Sequence, residues 1–207
     1  KKVKTCVFIS GNGSNLASLI NYSRYYNFPI KISLVISNNQ RAKGLSIANK
    51  YGISNKFFSS TSKKKFERES LLELKKNKIK FLCLAGFMCV LSKNFITNFK
   101  YGIVNIHPSL LPKYKGLNTH ERVIKNNEKY SGCTVHFVNK KLDSGKVILQ
   151  RKVAINQRET VESLKLKILN KEHDLYPKSI ISIFKKNLFK KEIYFLNTVF
   201  NTVRSMN

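Results

Sequence analysis

Val3-Lys-Thr-Cys-Val-Phe-Ile-Ser-Gly-Asn-Gly-Ser-Asn15 decides the fold. Val3 to Ile9 is an apolar run of strand type. Ser10-Gly-Asn-Gly-Ser-Asn15 interrupts it, and Leu16, Leu19 and Ile20 then recur at helical spacing to about Tyr26. A strand, a glycine-bearing turn and a helix in immediate succession make the opening unit of an α/β sheet. Working outward, the unit repeats. Ile30 to Ile36 reads as a strand, Ala42 to Lys50 as a helix closed by Gly52, and Lys64 to Lys76 as a charged helix. Ile79 to Ala85 is strand-like, Ser92 to Phe99 a brief helix, and a further strand runs into Asn105. Short connections in this alternation predict an α/β fold with a single-domain, mostly parallel twisted sheet flanked by helices.

The second half departs from the pattern. Thr134 to Val138 and Val147 to Ile155 are strands separated by a loop holding Asp143, Ser144 and Gly145, which predicts hairpin-like antiparallel pairing. A long helix is expected from about Thr160 to Lys186, kinked or restarted around Pro177. Weak alternation from Leu188 to Val203 predicts an edge strand or two.

At 207 residues and 42% hydrophobic content the chain is large enough for one domain with a true core. No apolar run of about 18 residues appears, so no membrane helix is expected, and the amino terminus lacks the apolar segment of a signal peptide. Cys6, Cys83, Cys89 and Cys133 are scattered, with no CxxC pair and no histidine at zinc-ligand spacing. This reads as a reducing cytoplasm, without disulfides and without a structural metal. The charge is extreme, 39 basic against 11 acidic residues and a net +28. The lysines are confined to no tail or stripe and arginine is sparse, which reads as a general surface bias with no specific nucleic-acid partner.

Two segments carry chemistry. The Gly-Asn-Gly-Ser-Asn turn sits where exposed amides and a helix's positive end favour an anion, with Gly13, Ser14 and Asn15 as donors. Leu16 stands where a dinucleotide fingerprint needs glycine, so a phosphate monoester fits better, and the competing reading is a tight turn with a helix cap. The second segment is Asn105-Ile-His-Pro-Ser-Leu-Leu-Pro112. Alternation along a strand puts Asn105 and His107 on one side, and the prolines stop regular structure just beyond. Asp143, in a glycine-containing loop, can be brought to the same site. A carboxylate on an imidazole fixes its tautomer and stabilises its protonated form, while an asparagine amide can donate to a developing oxyanion. No GxSxG elbow is present, and Ser109 follows a proline, so a serine hydrolase is disfavoured. His120, His136 and His173 have no metal-ligand spacing.

Taken together, Phe8-Ile-Ser-Gly-Asn-Gly-Ser-Asn-Leu16, Leu84-Ala-Gly-Phe-Met88, Val104-Asn-Ile-His-Pro-Ser-Leu-Leu-Pro-Lys-Tyr114, Thr134-Val-His-Phe-Val138, Leu142-Asp143, Val147-Ile-Leu-Gln150 and Glu172-His173 resemble the phosphoribosylglycinamide formyltransferase family, folate-dependent enzymes of purine synthesis. The resemblance implies direct transfer of a formyl group from 10-formyltetrahydrofolate to the amine of 5'-phosphoribosylglycinamide. It implies His107, Asn105 and Asp143 as catalytic residues, and Gly13, Ser14, Asn15 and Glu172 as nucleotide-binding residues. The folate would be held by Lys63, Met88, Cys89, Val90, Leu91, Asn105, Asn139, Lys140, Lys141, Leu142 and Asp143, with no metal. It further implies a nucleotide-binding half to about residue 100, a catalytic and folate-binding half beyond it, and a monomer or homodimer. Cys89 and Lys63 stand where the family carries arginine, Asn118 where it carries histidine, and Leu169 and Lys171 where glutamines are expected. Ser109 to His120 is expected to form a flap over the folate. The rival readings are another user of 10-formyltetrahydrofolate, a tRNA formyltransferase or a deformylase, which would be expected to carry a further domain. More distant is a non-catalytic nucleic-acid-binding protein.

Overall fold

The computed structural model describes residues 1–185. Strands β1 (Val3–Ile9), β2 (Ile30–Ser37), β3 (Asn55–Phe57), β4 (Phe81–Leu84), β5 (Gly102–His107), β6 (Tyr130–Phe137) and β7 (Val147–Ala154) form one sheet in the order β3-β2-β1-β4-β5-β6-β7. The four pairings from β3 to β5 are parallel, and β5–β6 and β6–β7 are antiparallel. Helices α1 (Ser14–Ser23), α2 (Lys43–Lys50), α3 (Lys63–Lys76), α4 (Lys93–Asn98), α5 (Thr119–Lys125) and α6 (Val161–Lys185) make the connections or pack on the sheet.

The chain winds outward from β1 through β2 to β3, then returns by α3 to lay β4 on the other side of β1. Strand order therefore reverses between β1 and β4, and the segments leaving their carboxyl ends flank a crevice of the kind that holds ligands in open α/β sheets. Alternation along β1 divides the core in two. Val7 and Ile9 meet Leu16, Leu19, Ile168 and Ile180 on the face of α1 and α6, whereas Cys6 and Phe8 meet Phe66, Leu82 and Phe95 on the face of α3 and α4. From Thr5 to Ile9 both sides of β1 are buried, which is why Cys6 to Ile9 are all apolar, while Lys4 at the amino end is exposed.

Helix α1 begins without a side-chain cap. Its N-cap is Gly13, at φ +76°, and a Cβ there would stand 2.6 Å from the Cα of Gly44. Ser14 is thus the first helical residue rather than a cap, which leaves its side chain for other work.

Two expectations are corrected and one strand is added. Helix α6 runs unbroken through Pro177, with no restart; the segment is held by burial of Leu175, Tyr176, Pro177 and Ile180 against the sheet, and this packing outweighs the local loss of one amide donor. The span Ser109 to His120 is not all loop, since α5 starts at Thr119 after Asn118 in a left-handed conformation. Strand β3, three residues long, was too short and polar to register as a strand. The edge strands expected between Leu188 and Val203 lie outside the described residues.

Candidate active site

Asn105 and His107 are the fourth and sixth residues of β5 and share one side of it. Opposite them on β6 stand His136, paired with Asn105, and Thr134, paired with His107. The Thr134 hydroxyl donates to the Ser109 carbonyl at 2.6 Å and accepts from the Leu111 amide at 3.1 Å. Gln150 donates to the Leu111 carbonyl at 2.8 Å. These bonds fix the chain just after His107 as it leaves the strand.

Asp143 arrives from the β6–β7 loop and lies between two imidazoles. Its Oδ2 is 3.5 Å from His107 Nδ1 and accepts the Gly116 amide at 2.9 Å; its Oδ1 is 3.6 Å from His136 Nε2. The loop is tight. Asp143 sits at φ +43°, Asn139 donates to the Ser144 carbonyl at 3.1 Å and accepts the Lys141 amide at 2.9 Å, and a Cβ on Gly145 would fall 1.6 Å from the Phe137 carbonyl oxygen. Because β6 runs antiparallel to β5, the loop leaves near Ile103, where the Val138 amide donates to the Ile103 carbonyl, and folds back over the sheet face.

His136 is a member of this group that spacing could not reveal. Its Nδ1–H donates to the Phe137 carbonyl at 2.8 Å, leaving Nε2 to accept from Asn105 Nδ2 at 3.3 Å. Burial pushes its pKa down, outweighing the Phe137 carbonyl and Asp143, which act the other way, while His107 adds to the lowering. A neutral ring with a lone pair on Nε2 forms no ion pair with Asp143 at 3.6 Å; its effect is to turn the Asn105 amide so that NH2 faces it. His107 Nε2 donates to the Tyr114 carbonyl at 2.8 Å, so both its nitrogens face acceptors.

The turn after β1 and the helix α6 build a second group. Asn15 Nδ2 donates to Glu172 Oε2 at 2.7 Å in a buried contact, while Asn15 Oδ1 is buried without a partner. Burial raises the Glu172 carboxyl to about 7, against a lowering by the Asn15 hydrogen bond. One turn further along α6, the buried Tyr176 hydroxyl donates to the Leu84 carbonyl at 2.9 Å and lies 3.2 Å from that of Val104. The second carbonyl adjoins Asn105, so α6 ties the Asn15–Glu172 pair to the strand that bears the amide and the imidazole.

The third group is apolar and exposed. Met88, Val90 and Leu142 are 65%, 56% and 51% exposed, while Leu91 is buried beneath them. Phe87, Leu91 and Val138 belong to one core cluster, so the segments around 88 and 142 spring from neighbouring points. Ser10 holds the first of these, its amide donating to the Gly86 carbonyl at 3.1 Å and its hydroxyl accepting the Met88 amide at 2.8 Å. Cys89 is half-buried, its Sγ 3.0 Å from Asn38 Nδ2. Lys63 starts α3, and Lys140 and Lys141 lie on the Asp143 loop, all three exposed. Among the described residues no cluster of three or more His, Cys, Asp or Glu side chains has metal-site geometry, and no helix is long and apolar enough to cross a membrane.

An asparagine, an imidazole and a carboxylate thus meet on an α/β sheet whose crevice carries a glycine turn, an arrangement chemically suited to group transfer. Residues 3–180 match the model of the formyl transferase family, and the chain belongs to that family. It is 37% identical over 174 residues to the phosphoribosylglycinamide formyltransferase of Escherichia coli (strain K12), covering 83% of this chain and 82% of that one. It is also 38% identical to the human trifunctional purine biosynthetic protein adenosine-3, covering 87% of this chain but spanning only 18% of the length of that relative. Among solved structures, a phosphoribosylglycinamide formyltransferase from Anaplasma phagocytophilum superposes with a TM-score of 0.83 at 40% identity, over 90% of this chain and 89% of the other.

Proposed function

We propose that the chain transfers the formyl group of 10-formyltetrahydrofolate to the amine of 5'-phosphoribosylglycinamide, in purine biosynthesis. The observation that carries this reading is the convergence of Asn105, His107 and Asp143 from two parts of the chain, in a member of the formyl transferase family. The amine attacks the formyl carbon, and the carbonyl oxygen gains negative charge in a tetrahedral intermediate. Asn105, its amide turned by His136, donates to that oxygen. His107, oriented by Asp143, exchanges the Tyr114 carbonyl for the oxyanion and passes its Nε2 proton to the departing folate nitrogen. Collapse breaks the bond to the folate nitrogen, which leaves with the proton from His107, and the proton lost by the attacking amine restores the ring. No covalent enzyme intermediate is needed.

Gly13, Ser14 and Asn15 hold the phosphate, and Glu172 accepts from the ribose hydroxyls. The buried, unpartnered Asn15 Oδ1 beside Glu172 supports this reading, as an acceptor left over for the nucleotide. Met88, Cys89, Val90, Leu91 and Leu142 line the folate, joined by Asn139 and by Asn105 and Asp143. Lys63, Lys140 and Lys141 attract its carboxylates. Ser109 to Asn118 covers it as a flap. Residues 1–207 act as one formyltransferase domain in the cytoplasm, its nucleotide-binding half ending at about residue 100, and as a monomer or homodimer. The test is formyl transfer by the purified chain with wild type and His107→Ala. The variant is expected to bind nucleotide normally and turn over about 10²–10⁴-fold more slowly; near-normal turnover removes His107 from the mechanism.

A further inference from the structure

We propose that Glu67 is a positioning residue for the folate side of the site, acting through Ser92 on the segment Met88–Leu91. The proposal rests on the assignment of that segment to the folate pocket. Glu67 lies one turn into α3 and is only 7% exposed, yet no basic side chain pairs with it among the described residues. A buried carboxylate without a counter-ion is costly and persists only where hydrogen bonds take the place of water.

Those bonds all come from one residue. The Ser92 amide donates to Glu67 Oε1 at 2.6 Å, and the Ser92 hydroxyl donates to Oε2 at 2.5 Å. Ser92 is already the N-cap of α4, its Oγ accepting the Phe95 amide at 3.0 Å. Capping alone requires no carboxylate. The added pair of charge-assisted bonds fixes both the backbone and the side chain of the residue that follows Leu91.

The consequence is a segment pinned at both ends. Ser10 holds Gly86 and Met88 from the β1 side, and Glu67 holds Ser92 from α3. Between the pins, Met88 and Val90 project their side chains outward, 65% and 56% exposed, an arrangement that hydrophobic burial alone would not maintain. Lys63 stands four residues before Glu67 on α3, on the same side of the helix. One helix thus sets both the apolar wall and a cation beside it. Fixing such a wall before the ligand arrives lowers the ordering cost of binding.

The experiment measures kcat and the two KM values for wild type, Glu67→Ala, Glu67→Gln and Met88→Ala, with unfolding midpoints and calorimetric binding of tetrahydrofolate. Glu67→Ala is expected to raise the folate KM and the tetrahydrofolate Kd about tenfold, leaving kcat and the nucleotide KM within about twofold. Glu67→Gln, which keeps an oxygen for the Ser92 amide, falls between the two. A uniform change in all kinetic constants that tracks the unfolding midpoint, or an unchanged folate KM beside a Met88→Ala variant that does lose folate, overturns the role of Glu67. A Met88→Ala variant with unaltered folate KM overturns instead the pocket assignment, and the proposal with it.

Discussion

Around the carboxyl ends of β1, β4 and β5 three acids are largely buried and individually partnered, whereas at the amino ends of β1, β2 and β4 three lysines stand in a row in water. Glu172 meets Asn15, Glu67 meets Ser92, and Asp143 lies between His107 and His136. At the other end Lys4 is the register partner of Lys31, and the Lys80 amide donates to the Lys4 carbonyl, so three lysines sit side by side on adjacent strands. None of the three is paired with an acid among the described residues, and a groove of about 670 Å³ beside them is lined by Lys2, Lys4, Arg24 and Lys31. Charge in water is screened and each repulsion costs only tenths of a kcal/mol, so such an end tolerates substitution freely. Buried charge is unscreened, so every partner matters. The net +28 is therefore compatible with a chemically specific site.

Substitutions at the two ends put that contrast at risk. The largest effect is expected of Asp143→Asn, which keeps the shape and removes the charge: turnover should fall about 10²–10⁴-fold with the fold intact, read from kcat and circular dichroism. A pH–rate profile unchanged from wild type would detach Asp143 from His107. Next comes Glu172. Its carboxyl is raised in the folded protein from 4.5 to about 7, so the folded state binds the proton more tightly than the unfolded state. Stability from this group is full below the unfolded pKa and is lost as pH rises through about 7, a change of about 3 kcal/mol. Glu172→Gln should remove that slope from denaturation midpoints measured between pH 4.5 and 7.5.

A smaller contrast comes from alanine at two glycines. At Gly145 the Cβ would strike the Phe137 carbonyl, and the hairpin bearing Asp143 must shift, at about 1–3 kcal/mol and with a loss of activity. At Gly52, beside the lysine end, nothing lies within 4 Å and only the strain of φ +66° remains, about 1–2 kcal/mol with activity unchanged. Urea midpoints with matched rate assays separate the two. The smallest effect belongs to Lys4→Glu, at the centre of the lysine row. It should stabilise the chain by a few tenths of a kcal/mol at low salt, a gain that disappears in 1 M salt. A salt-independent change there would mean that the lysines interact by something other than screened repulsion.

The legible part of this molecule was the part written in local order. The apolar run Cys6 to Ile9 before a glycine turn specifies β1 because both its faces are buried there, and the alternation of Asn105 and His107 follows from the pleat of a single strand. The charged period of α3 and the pairing of β6 with β7 are equally local. Short or mixed signals were not legible: β3 has three residues, and α5 begins inside a stretch rich in proline and glycine. At Pro177 the missing amide allowed a kink or a restart, and the core that α6 covers excludes the restart.

Within the site, the sequence by itself determined which residue types were present: the glycine turn that leads into Ser14 and Asn15, the amide and imidazole of β5, and an acid in a glycine loop. Only the tertiary structure decided who meets whom. Strand register set His136 against Asn105, the fold-back of the β6–β7 loop brought Asp143 onto His107, and packing of α3 against α4 delivered Glu67 to Ser92. Local sequence governs backbone preference and side-chain facing, which depend on near neighbours. Partnerships between residues as much as 157 positions apart, as in Asn15 and Glu172, exist only after the whole core has closed around them.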